Sequence, residues 1–530
     1  VSEPWFKTPL GRATLEAAKA ALPPKRATRQ YAGARVSRLT TGWGTASTSE
    51  DAELSSSLRA LRDRCRALVR DAGYAKRAKV VVVNNVVHVG IGLQANVRST
   101  RGERFDRVNE SIEKAWADWC RADSCHTGGS LHFADLERAL MGQVFETGEI
   151  FVRLHFAPFG RSAVPLALEL IEPERIADDF QQPPPGSVGE YRLGIEQDVF
   201  GRPLAYWIRD RHPNEAHVRP GRSDRLVRVP AAEIIHLRII ERWPQSRAVP
   251  WMHAVARKLN DVDGYTEAEI VAARGAANYM GVIESDADDF GEQQDDGTTQ
   301  MELQPGIVER LRPGEKFDLV APNRPNAAAD QFIRLMLREI ASGIGLSYES
   351  LSRDYSQSNY SSSRLALLDD RDLWRVLQGW FIRTFRQRLH ETWLQQAVLA
   401  RAISAISVEE YAINPAKFEA VQFKPRGWGW VDPTKEVEAY KEAVKAGFTT
   451  VGDVVAATAG GLDLEDVANA RRDELELFEE LDLTFDTSPE VYVKAQAKPA
   501  EPAAEPAAAK PAEDDPEDEP AQARVVTLRR

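Results

Sequence analysis

Cys120, Cys125 and His126 bring two thiols and an imidazole into one short stretch, the donor types of a zinc site. Zinc usually takes four ligands and spacings such as Cys-x-x-Cys. No second cluster of these residues occurs, so helix-end packing is the expectation. Asp286, Asp288, Asp289, Asp295 and Asp296 offer carboxylates in a polar run. In an EF-hand register from Asp286, Gly291 fits the sixth position, but Phe290 fills a ligand position and Gly297 replaces the closing Glu. A solvated acidic loop is expected there, with calcium as the alternative. Gly90-Ile91-Gly92 lacks the third glycine of a dinucleotide fingerprint and reads as a strand-end turn. The dipeptide Gly-Lys is absent, which excludes a P-loop. Serines crowd residues 347–363, but no histidine is near in sequence to act as base, and no Gly-x-Ser-x-Gly elbow occurs. No catalytic set, cofactor site or metal site is expected.

The serine-rich stretch instead organises the chain. Residues 343–370 read GIGLSYESLSRDYSQSNYSSSRLALLDD. Gly343 and Gly345 are expected to stop one helix, since glycine takes the left-handed geometry of a helix C-terminus at little cost. Ser361, Ser362 and Ser363 are expected to cap the next. Between them lies a hydroxyl-rich loop without apolar period, suited to touching a partner without gripping it. Tyr348, Tyr355, Tyr360, Asn359, Ser356, Ser358 and Ser361 could contact phosphate or sugar as neutral groups, and Arg353 and Arg364 add slight attraction. The bland alternative is a flexible connector.

The length of 530 residues allows about three or four domains. A net charge of −12 argues against holding DNA on a basic surface, which needs Lys and Arg to neutralise phosphates. It is compatible with a conduit through which DNA moves. Three cysteines suggest no disulfide framework and a reducing compartment. The N-terminal residues lack the apolar core of a signal peptide, and the apolar run at 80–87 is too short to span a bilayer, so no membrane association is expected.

Residues 1–50 are expected to form an irregular basic arm. Residues 55–70, 106–120 and 131–144 have helical spacing. Residues 80–83 and 86–91, rich in β-branched valine, read as strands, as do 150–156, 166–171 and 234–240. Residues 195–199 and 204–208 form a hairpin around a Gly/Pro turn. Residues 80–240 therefore read as an α+β domain with antiparallel pairing. Pro250 could open a helix that continues through 251–280, with Gly264 as a possible interruption. Residues 301–311 and 317–320 would be strands of a small lobe. Helices follow at 327–342 and 364–402, the second being the longest. After residues 421–423, Asp432 and Pro433 form a cap and first turn for a helix at 434–446, ending at Gly447, with two more at 449–457 and 464–477. From about residue 494 the Ala/Pro/Glu composition predicts a disordered tail.

The motifs Leu-Ser-Tyr-Glu at 346–349, Asp-Tyr-Ser at 354–356 and Asn-Tyr-Ser-Ser-Ser-Arg at 359–364 resemble the signature of lambda-family phage portal proteins. The resemblance continues in the Leu-Arg-Asp-Arg-Cys-Arg helix from Leu61, in residues 84–94, where His88 breaks the usual pattern, and in residues 168–176. It also covers the Gly-Arg-Pro hairpin at 194–208, residues 245–250, where Ala248 stands in place of a family glycine, and Trp430 to Lys435. By motif order it spans residues 31–483.

The resemblance implies a portal fold built as a ring homo-oligomer of about twelve copies with cyclic closure. It implies a wing (51–249), first stem helix (250–280), clip (281–326), second stem helix (327–345), tunnel loop (346–363), long tunnel helix (364–402), and wing return with helical crown (403–493). The N-terminal arm (1–50) and the acidic tail (494–530) lie outside it. The ring would sit at one capsid vertex of the virion, after assembly in the host cytoplasm. Double-stranded DNA would be pumped through it by the terminase large subunit and later ejected. Head–tail connector, adaptor, major capsid and scaffold proteins would be its partners. Another phage head structural protein is the rival reading, followed by a serine hydrolase or a metal-dependent nuclease.

Overall fold

The computed structural model describes residues 7–21, 38, 44, 47–99, 101–102, 104–179, 182–215, 225–277, 281–285, 315–319, 328–428, 433–458 and 464–483. It divides into two compact units, Val1–Pro425 and Arg426–Arg530.

In the arm, Pro9–Ala21 forms helix α1, with the Thr8 hydroxyl accepting from the Gly11 N–H at 3.2 Å. The expectation of a wholly irregular arm is corrected there; a hydroxyl cap and a first-turn proline supply a helix start. Helix α2 (Glu50–Asp71) is capped by Ser49. Helix α3 (Gly73–Val86) occupies the valine run that reads as strand. It packs against α2 and three helices introduced below, so Val81, Val82, Val83 and Val86 are all buried. A helix covered on several sides has no polar face to reveal its period, and tertiary burial outweighs the small helix penalty of valine. Gly90 and Gly92 accordingly link a helix to strand β1 (Gly92–Ala95) rather than ending a strand.

Helices α4 (Asp106–Trp119), α5 (Ala122–Cys125) and α6 (Phe133–Thr147) follow. Next come β2 (Glu149–His155), β3 (Ala167–Ile171), β4 (Glu190–Arg192), β5 (Ile195–Gln197), β6 (Pro203–Arg209), β7 (Leu226–Pro230) and β8 (Ile234–Arg238). They make two antiparallel sheets in the orders β3-β2-β8 and β4-β5-β6-β7. Phe151, Ile171 and Ile234 from the first sheet close a core with Ile195, Tyr206, Ile208 and Val229 from the second. The alternation of strand side chains makes this possible: one face of each sheet supplies apolar groups. The antiparallel α+β reading of this region agrees with the observed topology.

Helix α7 (Ala256–Ala277) starts later than Pro250, because residues 250–255 form tight turns, with His253 N–H bonded to Pro250 O and Val255 N–H to Met252 O, both at 3.0 Å. Gly264 lies inside it without interrupting it. Strands β9 (Gly281–Ser285) and β10 (Glu315–Leu319) pair antiparallel; β9 was not expected, and the expected strand at 301–311 and the acidic loop from Asp286 lie outside the described residues. Helix α8 (Ala329–Ile344) packs on α7, with the Tyr265 and Phe332 rings 5.2 Å apart and an ion pair between Lys258 and Glu339.

A short helix α9 (Tyr348–Ser352) precedes α10 (Tyr360–Phe381), a π-helical turn (Ile382–Arg386) and α11 (Gln387–Leu399). Helices α12 (Val408–Ile413) and α13 (Pro415–Phe418) lead to β11 (Val421–Lys424), which returns to pair with β1. The second unit holds α14 (Pro433–Lys445), α15 (Val451–Thr458) and α16 (Leu464–Glu480). Gly447 ends the first of these with a φ of 76°, as its sequence position predicts. The proposed cap Asp432 and the tail beyond residue 483 lie outside the described residues. No helix among the described residues is long and apolar enough to cross a membrane.

Candidate functional site

Residues 346–363 join α8 to α10, and both ends are fastened. Gly345, at a φ of 82°, terminates α8; its N–H bonds Ala341 O at 2.9 Å. Gly343 has another role than the expected stop. It lies within α8, and a Cβ there would come within 2.3 Å of Val255 Cγ1, so glycine lets α8 approach the residue that precedes α7. The Trp251 indole N–H donates to Ile344 O at 2.9 Å and ties the same junction.

The stretch is not one irregular loop. Ser347 caps α9, and Leu351 is buried beneath it. Asp370, about three turns into α10 and almost wholly buried, accepts from the Ser347 N–H at 2.8 Å and the Ser347 hydroxyl at 2.7 Å, and from the Ser350 hydroxyl. Arg77 of α3 donates to Ser350 O at 3.1 Å. Tyr348 donates its hydroxyl to Asp354 at 2.8 Å, while the Arg338 guanidinium lies 5.3 Å from its ring centre. Hydrogen bonds from Ser356, then from Tyr348, with Arg334 3.6 Å away, hold the Asp354 carboxyl at about 2. Its negative charge is therefore constant at neutral pH.

The residues singled out from sequence then separate. Arg353 ends α9 in the left-handed region at φ 58° and is exposed. Tyr355 and Tyr360 are both 59% exposed. The Ser356 N–H bonds Asp354 at 3.0 Å and the Ser358 hydroxyl bonds Tyr355 O at 3.0 Å, which fixes a short turn. Asn359, and not the serine triplet, is the helix cap: its Oδ1 accepts from Ser362 N–H at 2.8 Å, and Ser362 Oγ accepts from Asn359 N–H at 3.1 Å. This reciprocal capping box starts α10 four residues early, so Tyr360, Ser361 and Arg364 belong to its first turns. Tyr355, Ser356, Tyr360 and Ser361 thus form an exposed hydroxyl-bearing edge. Tyr348 and Ser358 serve the loop's own structure.

This arrangement offers neutral donors and acceptors on a rigid support. Ser347, Ser350, Ser352, Ser358 and Ser362 all have their hydroxyls committed to local hydrogen bonds. Sequence reasoning missed Asp370 as the anchor. A signal existed: it shares a helical face with Trp374, Leu377 and Phe381, so a carboxylate stands in an apolar stripe.

A second convergence joins α2, β2, β8 and the segment before α7. The buried Glu149 carboxylate accepts from Arg247 Nε at 2.7 Å, His236 Nε2 at 2.8 Å and the Ala248 N–H at 3.1 Å, and also pairs with Arg62. Burial alone would raise this carboxyl, but Arg247, Arg62 and the His236 hydrogen bond overcome it and hold it far below the carboxylate range. Burial pushes His236 down to about 4, so it is neutral at pH 7. Gly148, at φ 87°, lets the chain pass Val249, whose carbonyl oxygen would lie 2.1 Å from an added Cβ. Three distant segments, at Arg62, His236 and Arg247, thereby meet at one carboxylate, two of them family motifs.

Cys120 and Cys125 are buried thiols raised by that burial, Cys125 to about 12; Cys125 Sγ donates to Cys120 O at 3.4 Å. They pack the turn after α4. Among the described residues, the group whose donor atoms lie close enough to share a cation is Glu172, Glu174 and His212.

Comparison with known proteins bears on these features. The family described as "Phage portal protein, lambda family" matches residues 36–378. The chain is 27% identical over 478 residues to the "Probable portal protein" of Halomonas phage phiHAP-1, covering 88% of this chain and 89% of that protein. It is 23% identical over 463 residues to "Portal protein B" of Escherichia phage lambda, covering 77% and 82% respectively. "Portal protein" of Escherichia phage N15 is also 23% identical, over 459 residues, covering 77% and 83%. Among solved structures, a chain of "Neck of empty GTA particle computed with C6 symmetry" is similar with a TM-score of 0.41 and 15% identity, covering 74% of this chain and 92% of that one. Since the family match takes in more than half of the sequence, from the Arg62 helix through the 346–363 segment and into α10, the chain belongs to the lambda family of phage portal proteins.

Proposed function

We propose that copies of this chain close into a ring of about twelve around a channel for double-stranded DNA, at one vertex of a phage capsid. The observation that carries the reading is the loop between α8 and α10. It is fastened to rigid helices at Ser347 and Asn359, yet presents Tyr355, Ser356, Tyr360 and Ser361 outward with Arg353. Neutral hydroxyls can touch sugar and phosphate, while the net charge of −12 keeps the conduit from holding DNA. The mechanism is positional: the ring aligns the duplex and the terminase large subunit supplies the energy.

Within this reading residues 51–249 are the wing, and α7 and α8, packed side by side, are the stem. Residues 281–326 are the clip, 346–363 the tunnel loop, 364–402 the long tunnel helix, and 403–493 the wing return and crown. The clip meets terminase and the head–tail connector or adaptor proteins. Scaffold and major capsid proteins are the partners during assembly in the host cytoplasm. No catalytic role is assigned to the chain. Negative-stain imaging with native mass measurement tests the reading. A ring with a hole wide enough for duplex DNA is expected; a monomer or dimer at high concentration would overturn it.

A further inference from the structure

Helix α10 has two unlike faces. Asp370, Trp374, Leu377 and Phe381 are buried. On the opposite side Leu365, Leu368 and Val376 stand 71%, 40% and 66% exposed, with Asp369 exposed beside them. Their spacing places them on one face of the helix, where Asp372, ion-paired with Arg375 at 2.8 Å, stands between Leu368 and Val376. Elsewhere on the same unit, α2 and α7 bound a groove of about 520 Å³. Leu61, Ala67, Leu68 and Ala256 line it, with Arg64 and Arg257 among its charged groups.

Helix α3 packs between α2 and α10. None of Leu365, Leu368 and Val376 lines the α2–α7 groove of its own chain. The groove carries Arg64 and Arg257 beside Asp71 and Asp263, and Arg64 is the group that Asp369 of the stripe can meet. Arg64 and Asp369 form no ion pair with any other described residue, whereas the groove's Asp71 is already paired with Arg70 at 2.8 Å and Arg257 lies 3.8 Å from Asp261.

We propose that the Leu365–Leu368–Val376 stripe of one copy seats in the α2–α7 groove of the next, with Asp369 meeting Arg64. Each copy uses one surface as donor and the other as acceptor, the heterologous contact that a closed ring requires. The inference rests on the ring reading and deepens it by naming the two surfaces.

The test uses the full chain and four proteins: wild type, Asp369→Arg, Arg64→Asp, and the double reversal. Mass photometry across a dilution series reads assembly. Each single reversal is expected to weaken it at least about tenfold, since like charges then face each other, and the double variant to restore it. Melting temperatures should be unchanged because both side chains are exposed. A Leu365→Cys/Ala67→Cys chain under mild oxidant should also give a ladder of covalent multimers. Wild-type rings with unaffected single variants, or single variants that the double does not rescue together with no ladder, would overturn the interface and leave the ring intact. A wild type that never forms rings would overturn the ring reading itself.

Discussion

Asp370 accepts both the backbone N–H and the hydroxyl of Ser347, at 2.8 and 2.7 Å, so one buried carboxylate in α10 holds the first residue of the hydroxyl-rich loop. A charged acceptor with several donors is worth more than a neutral bond, roughly 1.5–3 kcal/mol. Asp370→Ala should therefore lower stability by about that amount and free α9 from α10. Limited proteolysis checks it: cleavage within residues 346–359 should accelerate in the variant. Equal protection would show that the clamp does not order the loop.

Tyr355 and Tyr360 are both more than half exposed. Tyr355→Ala and Tyr360→Ala should leave the melting temperature within about 0.5 kcal/mol of wild type in free-energy terms. Ring formation should be unaffected. DNA packaging in a reconstituted terminase assay should fall. Wild-type packaging by the double variant would count against a DNA-facing loop.

Glu149 is the nearer counter-charge of two buried guanidiniums, so Glu149→Gln leaves Arg62 and Arg247 with the more distant and partly exposed Asp178, at 3.4 and 3.7 Å. Removing one member of a buried pair costs about 3–5 kcal/mol. The sign with pH follows from its lowered carboxyl. Its stabilisation is complete above its ordinary value of 4.5 and declines as pH falls toward the lower folded value. Denaturant midpoints of the two proteins should be far apart at pH 7 and converge in acid.

His390 is buried among Trp116, Trp393 and Phe423, and neither ring nitrogen has a hydrogen-bond partner among the described residues. Burial, helped by Arg386, pushes it down to about 3. The unfolded chain takes up a proton as pH drops below 6.5, and the folded chain does so only near 3, so folding weakens through that window. The slope contributed is about 1.4 kcal/mol per pH unit. His390→Leu should flatten it, read as urea midpoints between pH 7 and 4. An unchanged slope would place the acid sensitivity elsewhere, for example at His236.

Gly343→Ala should destabilise the chain by about 1–3 kcal/mol, because the new Cβ meets Val255 Cγ1. Val255→Ala in the same chain should recover part of that loss. Thermal melts of the two single variants and the double give the coupling directly, and strict additivity would exclude the contact as the cause.

The sequence by itself determined the elements whose signals are local. Extended apolar runs marked β2, β3 and β8 of the first sheet, a Gly/Pro turn marked the β5–β6 hairpin of the second while β4 and β7 were not read, and Gly345 and Gly447 marked helix ends. The order of short motifs was enough for the portal family, because spacing survives where overall identity is low. Tertiary structure decided what depends on neighbours. The valines of α3 are helical because other helices cover them, and no single-chain period records that. The cap of α10 went to Asn359 over three serines because Ser362 could return its bond. Gly343 works through Val255, far away in sequence. Glu149 and Asp370 became the centres of their networks only when arginines and hydroxyls from distant segments converged on them. A buried carboxylate is expensive until its partners arrive, and only the fold brings them.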